Sequence, residues 1–235
     1  MKTRQLSMLL LLSVFWLLPA LASAAPEWDD DDVRVYELTS FNRIVLEGGY
    51  KVILQQSDHP GLRIKADEEA FEYIEVENER GILSVKLKEK HFSFDRMILY
   101  IEFVELEELD VEGGLNLETR GYVDLKDFYL KVEGGAKIEM EMKVDHLKVV
   151  GEGGVSFKFR GVAQSMDTRI SGAGHLDADA LKAQSVAIEI EGVGGGSVYA
   201  TDYLKAKIEG VGKIRYKGNP EVDKEIEGIG FVSPE

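Results

Sequence analysis

Three aspartates and three tyrosines have the types and spacing that carbohydrate chemistry uses. Asp177 and Asp179 alternate on one extended segment, and Asp202 follows about one repeat later. Carboxylates gathered on one face are the acid, base or nucleophile of polysaccharide lyases and glycosidases. Tyr199, Tyr203 and Tyr216 would offer flat faces to sugar rings if they lined one strip. The plainer reading is a solvated edge for the aspartates and core or edge packing for the tyrosines. It is preferred because the segments between turns are short, with no long loops to wall a substrate cleft.

Other chemistries find less support. His59, His91, His146 and His175 form no His-x-x-x-His or similar pair, so a zinc site is not expected. No Gly-x-Ser-x-Gly elbow occurs. The chain has no cysteine, which removes thiolate chemistry and a disulfide scaffold. The run Asp29 to Asp32 lacks the spacing of further oxygen ligands that calcium needs. Glu112, Glu133, Glu152, Glu191, Glu209 and Glu227 share one place in a repeat and are the alternative seat for a divalent cation such as calcium. A solvated face, partly paired with the cations two residues earlier (Lys131, Arg169, Lys207), is the simpler reading. No catalytic, cofactor or metal residue is therefore assigned, and no cofactor is expected.

The elements that position these residues are set by a recurring phrase. An aliphatic residue, usually an acid, then paired or spaced glycines return as Val111-Glu112-Gly113-Gly114, Val132-Glu133-Gly134-Gly135 and Gly151-Glu152-Gly153-Gly154. Spaced forms follow at Ile170 to Gly174, Ile190 to Gly194, Ile208 to Gly212 and Ile226 to Gly230. The last glycines are Gly114, Gly135, Gly154, Gly174, Gly194, Gly212 and Gly230, so the phrase returns about every twenty residues. A fixed period of this size predicts a parallel β-solenoid with glycine corners. The residues before each phrase (Val111, Val132, Val150, Ile170, Ile190, Ile208, Ile226) would stack as one inner ladder. Leu115, Ile138, Val155, Leu176, Val198 and Ile214 would form a second, and Leu109, Leu130, Leu147 and Ile188, broken by Thr168, a third. A phosphate-cradling role for the glycines would need a following helix, and no helical periodicity is present.

Four regions are expected. Residues 1–24 read as a signal peptide, with Lys2 and Arg4, an apolar run and Ala22-Ser23-Ala24. Residues 25–32 form an acidic leader. Residues 33–108 are an irregular β segment continuous with the repeats, and 109–235 are the repeats. Asp67 to Tyr73 suits a single helical turn with Asp67 as its cap. Without the first 24 residues, 26 basic residues face 43 acidic ones, a balance of −17. Such a surface repels nucleic acid and anionic membrane. The last unit, Lys224 to Val232, shows no polar cap, so either a short covering segment or a self-associating end is expected.

Phe41-Asn42-Arg43-Ile44, then Gly49-Tyr50-Lys51-Val52, then recurring Gly-x-Gly phrases behind a signal peptide resemble the putative auto-transporter adhesin, head-GIN domain family. That is a domain of unknown function in exported proteins of Gram-negative bacteria, notably Bacteroidetes. The resemblance spans about Phe41 to Tyr216 and implies a right-handed β-helix-like fold and an adhesin-type role. This chain has Glu-Gly-Gly where Ser-Gly-x-Gly is usual, and only Ile170 to Gly174 keeps the serine form. The resemblance carries over no site residue. The expected function is an exported, non-enzymatic β-solenoid of the periplasm or cell surface, with a glycan or an envelope protein as partner and self-association through its ends as an option. A β-helix carbohydrate-active enzyme and a purely structural periplasmic protein are the alternatives.

Overall fold

The computed structural model describes residues 33–88 and 97–235. The expected signal peptide, the leader and His91 lie outside these. Among the described residues the protein is all-β: eleven strands join in one mixed, unclosed sheet. They are β1 (Val33–Tyr36), β2 (Arg43–Gly48), β3 (Lys51–Gln56), β4 (Gly61–Lys65), β5 (Ile74–Glu79), β6 (Ile82–Leu87), β7 (Ile98–Phe103), β8 (Glu108–Gly113), β9 (Asn116–Thr119), β10 (Val123–Lys217) and β11 (Glu221–Pro234). The expected helical turn is a 3-10 turn over Glu68–Glu72. Asp67 holds its N-cap position, yet its carboxylate makes no capping hydrogen bond.

Most of the pairing is parallel and in register with the repeat. β8 lies on β10 with Val111 opposite Val132, and β10 lies on β11 with Ile208 opposite Ile226, one period apart in each case. The stacking continues inside β10. A Cβ placed on Gly153, Gly172, Gly192 or Gly210 would meet the carbonyl oxygen of Gly134, Gly153, Gly172 or Gly192 in turn. The chain is thus a pile of layers that bend at the same place. The bend falls on the first glycine of each phrase rather than the last: Gly113, Gly134, Gly153, Gly172, Gly192, Gly210 and Gly228 all have positive φ. Gly134 shows why only glycine fits. Its φ is +123°, and a Cβ there would lie 2.4 Å from the Gly113 oxygen.

β2 and β3 are the earliest layer, because Gly48 stacks on Gly113 and Val52 on Leu117. The next layer in space starts only at Glu108, and the residues between finish the other side. β6 and β7 pair parallel beneath β2 and β3. β5, β4 and β1 then add antiparallel, on β6, β7 and β4 respectively. Of these pairs β5–β6 is a tight hairpin turning at Arg80 and Gly81, whereas β4 and β1 meet partners much further along the chain.

Interior positions form vertical columns. One runs Leu83, Ile44, Leu109, Leu130, Val149, Thr168, Ile188, Ala206 and Lys224. The next runs Val85, Leu46, Val111, Val132, Gly151, Ile170, Ile190, Ile208 and Ile226. The expected ladders shift in several places. Gly151 stands inside where Val150 was expected, and Val150 is only half-buried. The Phe157 ring fills the gap, for a Cβ on Gly151 would lie 2.8 Å from it. Leu147 and Val198 are buried too, but each belongs to a neighbouring column.

A fourth column changes sides. Leu115, Ala136 and Val155 point inward, and Gly174, Gly194, Gly212 and Gly230 continue their column. The outward neighbours do the reverse: Gly114, Gly135 and Gly154 give way to Ala173, Val193, Val211 and Ile229. Val193, Val211 and Ile229 are 62%, 49% and 74% exposed. β11 pairs β10 and, among the described residues, nothing else. Lys224 takes the interior column there, and an inward charge on an outer strand disfavours the pairing of another.

Candidate functional site

The aspartates do not converge. Asp179 faces outward and its Oδ2 accepts from the Lys217 Nζ at 2.6 Å. That contact reaches past Tyr199, which stands in the layer between them. Lys217 also meets Glu235 at 3.4 Å. Asp177 is half-buried on the same strand as Asp179, whereas Asp202 is exposed beyond the next bend. Among the described residues the three belong to no cluster of carboxylates. A lyase or glycosidase would need them facing a common bond.

The tyrosines are dispersed as well. Lys182 Nζ stands 5.9 Å over the Tyr199 ring. The Tyr203 hydroxyl donates to Asp223 Oδ2 at 3.4 Å, on the face carrying the start of β11. Tyr216 packs against the core. They form no single strip. His146 Nδ1 lies 2.9 Å from Ser165 Oγ, and His59 donates its backbone N–H to Ser57 Oγ at 3.5 Å.

One part of the glutamate ladder does close up. Glu189, Glu191 and Glu209 bring three carboxylates together in adjacent layers. Cations already occupy the gaps. Arg169 Nη2 bonds Glu191 at 2.5 Å and its Nε lies 3.4 Å from Glu189. Lys207 contacts Glu209 and lies 3.4 Å from Glu189. Ser171 Oγ donates to the second oxygen of Glu191 at 2.8 Å. Hydrogen bonds from Arg169 and then Ser171 hold the Glu191 carboxyl below the usual carboxylate range. Hydrogen bonding to Glu209 is the main cause that raises Lys207 above the usual lysine value. Two cations thus balance three acids, and the cluster is an ion-pair network.

A cleft that the sequence did not signal lies where the third side of the pile begins. β2 and β3 are followed by an excursion, so no full strand underlies Val123 to Tyr129. The short segment Val104 to Glu107 crosses there instead. Its Glu107 N–H donates to Asn42 O at 2.8 Å, and Glu107 O accepts from the Tyr129 N–H at 2.8 Å. Gln56 closes the other end through hydrogen bonds to Val104 and Asp124. The incomplete side leaves a cleft of about 750 Å³ lined by Arg43, Arg80, Lys126, Asp127, Tyr129 and Lys148, among others. Lys148 Nζ stands 5.5 Å over the Tyr129 ring. Arg43 reaches Glu108 and Asp110 at 3.3 and 3.7 Å, while its buried Nε has no partner.

Residues 40–220 match the model of the family described as "Putative auto-transporter adhesin, head GIN domain". The chain belongs to that family. Solved structures of similar proteins agree in fold. A putative adhesin from Bacteroides fragilis superposes with a TM-score of 0.83 at 22% identity, over 86% of this chain and 96% of that one. A putative lipid binding protein from Parabacteroides distasonis gives 0.67 at 26% identity, over 86% and 96%. A putative adhesin from Parabacteroides merdae gives 0.62 at 25%, over 86% and 95%. No curated protein matches. Among the described residues no helix is long and apolar enough to cross a membrane.

Proposed function

We propose that this head-GIN family member is an exported, non-enzymatic β-solenoid that presents its outer faces for adhesion or cell-envelope interaction. The stacking of glycine on glycine from Gly113 to Gly228 is the observation that carries the reading. It supports a coil of about twenty residues per turn, which the family resemblance makes right-handed. The placement of Gly48 in the same column supports treating 33–108 as continuous with the repeats of 109–235. A stacked scaffold offers long, regular outer faces, which suit binding better than turnover.

The separation of Asp202 from Asp177 and Asp179 supports a non-enzymatic role. Location in the periplasm or on the cell surface rests on the signal-peptide pattern in residues 1–24 and on the family. Glycans and envelope proteins are the partners this reading favours. External protease applied to intact cells tests it. Cleavage on whole cells supports a surface adhesin. Protection until the outer membrane is opened favours an envelope role in the periplasm, and a cytoplasmic fraction would refute export.

A further inference from the structure

We propose that the cleft at the incomplete third side binds an acidic polysaccharide, one that carries a carboxylate on its sugar rings. The inference rests on the exported binding role above and gives it a location and a ligand class. Arg43 and Glu108 in its wall pair with each other, and three further cations, Arg80, Lys126 and Lys148, line it without a carboxylate partner among the described residues. From Leu109 onward only about half of the other cations are paired, namely Lys131, Lys137, Lys143, Arg160, Arg169, Lys207 and Lys217, but the unpaired ones elsewhere line no comparable cleft among the described residues. In so acidic a chain, unpaired cations gathered in one cleft are the place where an anion meets least repulsion.

Arg80 adds an independent observation. Among the described residues it is the non-glycine residue with positive φ, at 52°, in the two-residue turn between β5 and β6. Its partner in the turn is Gly81, at φ 79°. Asparagine or glycine suits the first place of such a turn, and arginine there is strained. Its guanidinium belongs to the lining of the cleft, where a fork of donors fits a carboxylate.

The acids of the cleft select among anions. Glu107 and Asp127 stand in the same wall, and a densely charged polyphosphate would be repelled by them. A sugar chain suits both kinds of group, since its carboxylates meet the cations and its hydroxyls donate to the acids. Tyr129 and Lys148 sit one layer apart, about 4.8 Å, a spacing close to the length of one pyranose unit.

The test measures binding of the purified protein to polygalacturonate, neutral dextran and inorganic polyphosphate at low and high salt. Polygalacturonate should bind at low salt and weaken as salt rises, and dextran should not bind. Arg80→Asn should weaken binding about tenfold while its unfolding midpoint stays equal or rises, a pairing that a merely structural arginine would not give. Lys126→Ala with Lys148→Ala should abolish it. Unchanged binding in these variants, no binding of polygalacturonate, or tighter binding of polyphosphate would each overturn the proposal. None of these outcomes depends on where the protein resides, so protease accessibility fails or succeeds separately.

Discussion

Gln56 and Asp124 are joined by their amides. The Gln56 Oε1 accepts the Asp124 N–H at 2.8 Å, and its Nε2 donates to the Asp124 oxygen at 3.1 Å. The same Nε2 donates to Val104 O at 3.2 Å. A side chain thus does the work of the peptide group that a full layer would have supplied. Replacing Gln56 by Ala should lower stability by about 1 kcal/mol, since water reaches these bonds and makes up part of the loss. Urea unfolding checks the size, and amide exchange at Asp124 checks the place. Exchange there as slow as in the parent protein would refute the role.

Neighbouring glycines should respond in opposite ways. Gly134→Ala puts a methyl against the Gly113 backbone at positive φ and should cost about 2–4 kcal/mol. Around Gly135 a Cβ would meet nothing within 4 Å, so Gly135→Ala should change stability by less than about 0.5 kcal/mol. Equal losses in the two variants would mean that the bend lies elsewhere.

Thr168 is fully buried in an interior column, and its Oγ1 has no hydrogen-bond partner. Valine keeps the shape and removes the stranded hydroxyl. Thr168→Val should gain about 1 kcal/mol and raise the Tm by roughly 2–4 °C. A calorimetric scan that shows a lower Tm would mean the hydroxyl is satisfied.

Glu191 sets a pH dependence. Its folded carboxyl is depressed by Arg169 and Ser171. A depressed carboxyl contributes stability above its unfolded value of about 4.3, and this is lost as pH falls through the folded one. The stability gap between the parent protein and Glu191→Gln should be present at neutral pH and close in acid. High salt should narrow it too, because the network is exposed. A gap that stays constant down to strong acid would rule out the linkage.

The sequence disclosed the period, because backbones that stack need glycine at the same place each time. It misled on which glycine. Gly114 and Gly174 look alike in a phrase, yet one faces outward and the other sits in the column of Leu115. Position in a phrase does not tell a glycine chosen for φ from one chosen for space. Val150 was drawn inward by the same rule, since only Phe157, a little past Gly151 in the chain, reveals that the interior place there is empty. The candidate residues suffered from flattening. Asp177 and Asp202 are about one repeat apart along the chain, but a bend between them separates their faces. The cleft escaped notice because it is made by a missing strand, and an absence leaves no motif.

The long-range pairing of β2 has a consequence for assembly. From β8 onward each layer finds its predecessor one period back, whereas Arg43 meets Glu108 across a stretch several periods long. Closing the longer loop costs about 1 kcal/mol more. β2 should therefore join β8 late, with nucleation within the short-period layers. Leu46→Ala should then mainly speed unfolding, while Ile190→Ala should slow folding. On this expectation β2 waits for layers made of residues synthesised after it.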